Sequence, residues 1–67
     1  MKLIEGYEAY FGRYWVKRTA DGIHIGRSGK AGMKVLSGAD AEGFLGQMET
    51  ASEWGTSSCI GVIEDYL

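Results

Sequence analysis

Asp21-Gly22 stands between two runs of strand-forming residues, RYWVKRT before it (residues 13–19) and IHI after it (residues 23–25). An Asp-Gly pair in that setting signals a β-hairpin, because it supplies the two positive-φ positions of a type I′ turn whose twist matches the strands. With those two residues as the loop, Ala20 faces Ile23 and Arg18 faces Ile25. Tyr14, Val16, Ile23 and Ile25 then share one face, and Trp15, Lys17 and His24 share the other. A three-residue loop shifts the register by one and re-pairs the faces. The sequence therefore predicts the hairpin and leaves its register open.

The hairpin sits inside an ordered series. Ser28-Gly29-Lys30-Ala31-Gly32 is a glycine-rich connection, and Met33-Lys34-Val35-Leu36 reads as a short further strand. Upstream, a first strand is expected near residues 2–10, with a bend at Phe11-Gly12. Tyr7, Tyr10, Phe11, Tyr14 and Trp15 also fall at i, i+3, i+4, i+7 and i+8, so a helix over residues 5–15 is the alternative. Gly6 and Gly12 weigh against it, each costing about 1 kcal/mol in a helix interior.

Ser37, with Asp40 three residues on, resembles a capping box. The helix it opens carries Ala41, Phe44, Leu45, Met48 and Ala51 on one stripe, and Glu42, Gly46, Glu49 and Glu53 on another. It is expected to end near residues 52–55, with Trp54 packing at its exit. Cys59-Ile60-Gly61-Val62-Ile63 is apolar on both sides and reads as a strand paired inside the sheet. The expected fold is α+β, a single domain over residues 1–67. An antiparallel sheet of four to five strands carries one amphipathic helix on one face, in the order β-β-β-(β)-α-β.

Sixty-seven residues bury a small core and leave a thin stability margin. The lone Cys59 excludes an intrachain disulfide, and with His24 as the one histidine a Cys/His metal site is excluded too. Four Tyr, two Trp and two Phe must supply the core, or self-association must help, so a monomer or a homodimer is expected. The unpaired cysteine suits a reducing compartment. No window approaches the roughly 18 apolar residues that cross a bilayer. Cytoplasmic location without membrane contact is expected.

Catalytic chemistry finds little support. A Cys59–His24 dyad requires an activated thiolate, whereas Cys59 lies in an apolar run that disfavours one. Glu49/Glu53 and Glu64/Asp65 are carboxylate pairs without a calcium loop around them. Gly29-Lys30 is followed by Ala rather than Ser/Thr and preceded by His at position 24, so a phosphate-binding Walker loop fails. Gly26-Arg27-Ser28-Gly29 has the GxxG form of KH domains, but a hairpin precedes it where a helix belongs. The chain is expected to be no enzyme and to use no cofactor or metal.

Charge is the strongest functional signal. Residues 1–36 hold seven Lys/Arg against Glu5, Glu8 and Asp21, a balance of +4. Residues 37–67 hold six acids and no base, −6, which together give the chain its −2. Arg13, Trp15, Lys17, Arg18, His24, Arg27, Lys30 and Lys34 interleave cations with aromatics, a composition suited to nucleic acid. Residues 13–45, with YWVKR, the Asp-Gly turn, a short third strand and the Ser37–Leu45 helix start, resemble the arm-type DNA-binding domains of phage integrases. That resemblance implies a three-stranded sheet whose face reads DNA; the acidic helix and the C-terminal segment depart from it.

The acidic half suggests the opposite surface. Asp40, Glu42, Glu49, Glu53, Glu64 and Asp65 can present phosphate-like charge to a protein's nucleic-acid channel. In size, glycine content and acidity the chain is similar in general character to small phage-encoded inhibitors such as anti-CRISPR proteins. The expected function is a non-enzymatic interaction protein of phage or mobile-element type, binding a host protein or nucleoprotein complex through the acidic residues. The alternative is a small nucleic-acid-binding module that uses the basic sheet.

Overall fold

The computed structural model describes residues 6–67. Four strands come first: β1 (Glu8–Phe11), β2 (Tyr14–Thr19), β3 (Gly22–Arg27) and β4 (Lys34–Leu36). They form one antiparallel meander in the order β1-β2-β3-β4. Two helices follow, α1 (Gly38–Ser52) and α2 (Thr56–Tyr66). The α+β class and the four-stranded antiparallel sheet agree with expectation. The part of the expected first strand before Gly6 lies outside the described residues.

Residues 8–11 are strand rather than helix, and Gly12 decides it. It opens the two-residue loop between Phe11 and Tyr14 with φ +61, while Arg13 keeps an ordinary negative φ. That is the pattern of a type II′ turn, and it interrupts any helix running through residues 5–15.

The β2–β3 hairpin closes one residue earlier than a type I′ turn at Asp21-Gly22 implies. Thr19 pairs with Gly22, Arg18 with Ile23 and Val16 with Ile25, which leaves Ala20-Asp21 as the loop. Only Gly22 has positive φ, +138. A side chain there is also barred by β4, since a Cβ on Gly22 would lie 2.0 Å from the Leu36 carbonyl oxygen. Glycine is thus required both by the positive φ at the end of the loop and by the approach of the fourth strand. The displacement moves each pairing by two positions, so the faces survive. Tyr14, Val16, Ile23 and Ile25 are buried together, and Trp15, Lys17 and His24 are half-buried on the other face.

α1 begins where expected, with Ser37 as an extended N-cap, although the Ser37 hydroxyl makes no capping hydrogen bond. Asp40 in the first turn complements the helix dipole. The predicted stripe is the packed one: Phe44, Met48 and Ala51 are buried, and Ala41 and Leu45 half-buried. Trp54 does not pack at the helix exit; it is 78% exposed.

Residues 59–63 are a correction. They lie in α2, so the order is β-β-β-β-α-α, and no C-terminal strand enters the sheet. A five-residue apolar run fits a buried strand or a buried helix segment equally well by periodicity. Here Cys59 and Ile63, four apart, are buried, and Ile60 and Tyr66 flank them on the same helical stripe. The sheet needs cover more than it needs a fifth strand. α1 packs on β3 and α2 on β1, so two helices are required to roof the inner face. Gly55, with φ +112, makes the corner between them.

Phe44 sits at the junction of the layers, fully buried, with the Tyr66 ring edge-on at 5.2 Å. Gln47 donates to the Tyr66 hydroxyl at 2.9 Å, and the Tyr14 hydroxyl donates to Glu64 at 2.8 Å, so α2 is tied to both α1 and β2. Phe44→Ala should cost about 3–5 kcal/mol, most of the stability of so small a domain, whereas Leu45→Ala, half-exposed, should cost clearly less. Urea unfolding of the two variants checks this. Equal midpoints would mean that α1 is rotated from the orientation described.

Candidate functional site

The six carboxylates Asp40, Glu42, Glu49, Glu53, Glu64 and Asp65 all belong to the helical layer and are all exposed. Because residues 56–66 are helical, Glu64 and Asp65 leave the sheet and join the acids of α1. The six do not form one patch. Glu42, Glu49 and Glu53 follow one side of α1, as their spacing of seven and four predicts. Glu64 is turned to the sheet, where its bond from Tyr14 raises that phenol's pKa; the charges of Arg27 and Arg13 reach the same hydroxyl and oppose the rise.

Between α1 and α2, on the side away from the sheet, lies a groove of about 600 Å³. Gly43, Gly46 and Ala51 form its α1 wall, Val62 faces them from α2, Trp54 stands at one end and Glu42 lines it. The two glycines keep the wall low. Nothing in a strand reading of residues 59–63 anticipates this groove, because it needs the second helix.

Among the described residues no helix or strand lies over the opposite face of the sheet. The register places Glu8 and Tyr10 of β1, Trp15, Lys17 and Thr19 of β2, His24 and Gly26 of β3, and Val35 of β4 on that side. Trp15 is opposite Gly26, and its indole lies across that glycine. A Cβ on Gly26 would meet Cζ2, Cε2 and Nε1 of the ring at 2.6, 2.7 and 2.8 Å. Three ring atoms at nearly one distance mean that the indole rests flat on the strand. Tyr10, the cross-strand neighbour of Trp15, is 66% exposed, and its hydroxyl donates to the Glu8 carboxylate, which raises the phenol's pKa. His24 Nε2 lies 3.2 Å from the Thr19 hydroxyl.

The eight residues of the expected basic surface are therefore divided. Trp15, Lys17 and His24 share the open face. Arg18, Arg27 and Lys34 alternate to the other side of the sheet, at its ends and edge, and are exposed. Arg13 occupies the β1–β2 loop and Lys30 the β3–β4 connection. Tyr10, Gly26 and Val35 join the face by register alone. Alternation along the strands signals Tyr10 and Val35; the Trp15–Gly26 pairing depends on a register that the turn residues misplace by two.

His24 and Cys59 are on opposite sides of the sheet and form no dyad. Cys59 is 2% exposed and burial raises its thiol pKa. Gly26-Arg27-Ser28-Gly29 closes a turn between β3 and β4, with the Lys30 N–H donating to the Arg27 carbonyl, and no helix flanks it. Among the described residues no group of three His, Cys, Asp or Glu is placed to hold a metal ion, and no helix is long and apolar enough to cross a membrane. Comparison with protein-family models, curated proteins and solved structures finds no match for the chain.

Gly26→Ala tests the open face. The methyl group must lift the indole, so in a Trp54→Phe background the Trp15 emission should shift to the red. Stability should fall by about 1–3 kcal/mol, as for other overpacked sites. An unchanged spectrum and melting temperature would mean that the ring does not rest on Gly26.

Proposed function

We propose that the chain is a non-enzymatic interaction protein that docks its acidic helical layer on a basic surface of a host protein or nucleoprotein complex. The observation that carries this reading is the α1–α2 groove, apolar along its walls, bordered by Glu42 and ended by an exposed Trp54. Tryptophan is the residue most enriched among those that dominate binding energy, and an indole left in water beside an apolar groove has nothing to gain in the free protein. The carboxylates supply the complementary half, steering the layer to cations and away from acidic surfaces. A specific interface takes about 800 Å² from each partner. Against a total of 4316 Å², that is the scale of one whole face, such as the helical layer. Small size and an acidic helical layer fit an inhibitor of the kind that phages encode.

The test is capture from host-cell extract with the tagged protein, followed by titration of the identified partner. Trp54→Ala and the pair Glu42→Lys/Glu53→Lys change exposed positions and should leave stability within about 0.5 kcal/mol of the parent. Each is expected to weaken the partner at least tenfold, and salt to weaken it further. The reading is overturned if both variants capture as the parent does, or if Lys17→Ala abolishes capture and they do not.

A further inference from the structure

The open face of the sheet has a composition that solvation alone does not explain. Antiparallel sheets with one wet face normally alternate apolar-in and polar-out. Here the outer positions form two cross-strand rows, Tyr10–Trp15–Gly26 and Glu8–Lys17–His24–Val35, so two aromatic rings stand next to each other and a valine ends the neighbouring row. Tyr10 is exposed and Trp15 half-buried.

We propose that this face is a second binding site, a stacking platform for single-stranded nucleic acid, independent of the helical layer. Three observations lead there. First, the Trp15 indole is held in contact with Gly26 and is half-buried rather than enclosed. A ring held in that way loses little side-chain freedom when a base stacks on it, which removes a usual cost of binding. Second, Tyr10 is the direct cross-strand neighbour of Trp15, and Lys17 follows on the same side of β2 at a rise of about 7 Å. A second base can meet the phenol while the ammonium meets the intervening phosphate.

Third, the charges are sorted by layer. Arg13, Lys17, Arg18, Arg27, Lys30 and Lys34 all belong to the strands and their connections, while the six acids of residues 37–67 sit behind, in the helical layer. Among the described residues Lys17 and His24 lie on the open face itself, with Glu8 opposite Lys17; Arg13 and Lys30 lie in the flanking loops, and Arg18, Arg27 and Lys34 stand exposed at the ends and edge of the sheet on its other side. The net charge of −2 does not describe what such a ligand encounters. Stacking needs a base whose faces are free, which a duplex does not offer, so a single strand is the ligand.

The experiment uses the Trp54→Phe protein, in which Trp15 is the sole indole. It is titrated with a thymidine dodecamer and with a dodecamer duplex at 50 and 200 mM salt. Binding of the single strand should quench Trp15 emission. With about three phosphates contacted, affinity should fall about tenfold or more between the two salts. Tyr10→Ala and Lys17→Ala, checked for parental melting temperature, should each weaken binding at least fivefold. Trp15→Ala, followed by anisotropy of a labelled dodecamer, should weaken it tenfold or more. The proposal is overturned by no binding at 50 mM salt, by duplex bound as tightly as single strand, or by Tyr10 and Lys17 variants that bind like the parent.

Discussion

A four-stranded sheet has two faces, and this chain has enough apolar surface to cover one. The packing of Phe44 against the inner face is where that limit is met. Phe44, Met48, Ile63, Val16, Ile23 and Ile25 are all nearly inaccessible, and they draw α1 and α2 onto the same side of the sheet. Burying each such side chain contributes about 1.5–3 kcal/mol, which a 67-residue chain cannot repeat on a second face. Once both helices are spent on one side, the other side is left to solvent. The corner at Gly55, the Tyr14–Glu64 bond and the edge-on contact of Tyr66 with Phe44 serve this single closure.

Much of this was legible in the sequence. Alternation in residues 14–19 and 23–27 marks the inner face whatever the turn, because a register displaced by two positions keeps every side chain on its side. The apolar stripe of α1 is readable because five residues repeat at helical spacing over more than two turns. What was not legible depends on contacts between distant elements. The loop at Ala20-Asp21 is set by the Leu36 carbonyl against Gly22, an approach that a local Asp-Gly signal does not register. Residues 59–63 are too short a run to display a period, and what makes them helical is the demand for a second roof over β1. Trp54 looked like core because it is large and apolar; its place after the last turn of α1 leaves it outside.

The same closure organises the charge. In sequence, the bases and acids are merely in different halves of the chain. In the fold, those halves become two layers, with carboxylates on the helices and cations in the strands and loops. Each layer then presents aromatic surface: Trp54 beside the α1–α2 groove, Trp15 and Tyr10 on the open sheet, where Lys17 and Glu8 face each other. The basic residues do not make one continuous plate, since Arg18, Arg27 and Lys34 alternate away from the open face and Lys17 and His24 lie on it. The groove, in turn, exists only because α2 lies beside α1.

The open sheet face and the helical layer are expected to act separately. Titration of 15N-labelled protein with the thymidine dodecamer at 50 mM salt, followed by amide and indole resonances, examines this directly. The predicted result is perturbation at Tyr10, Lys17, His24, Val35 and the Trp15 indole N–H, with residues 38–66 unmoved. Shifts centred on the helices, or an unchanged spectrum, would contradict it.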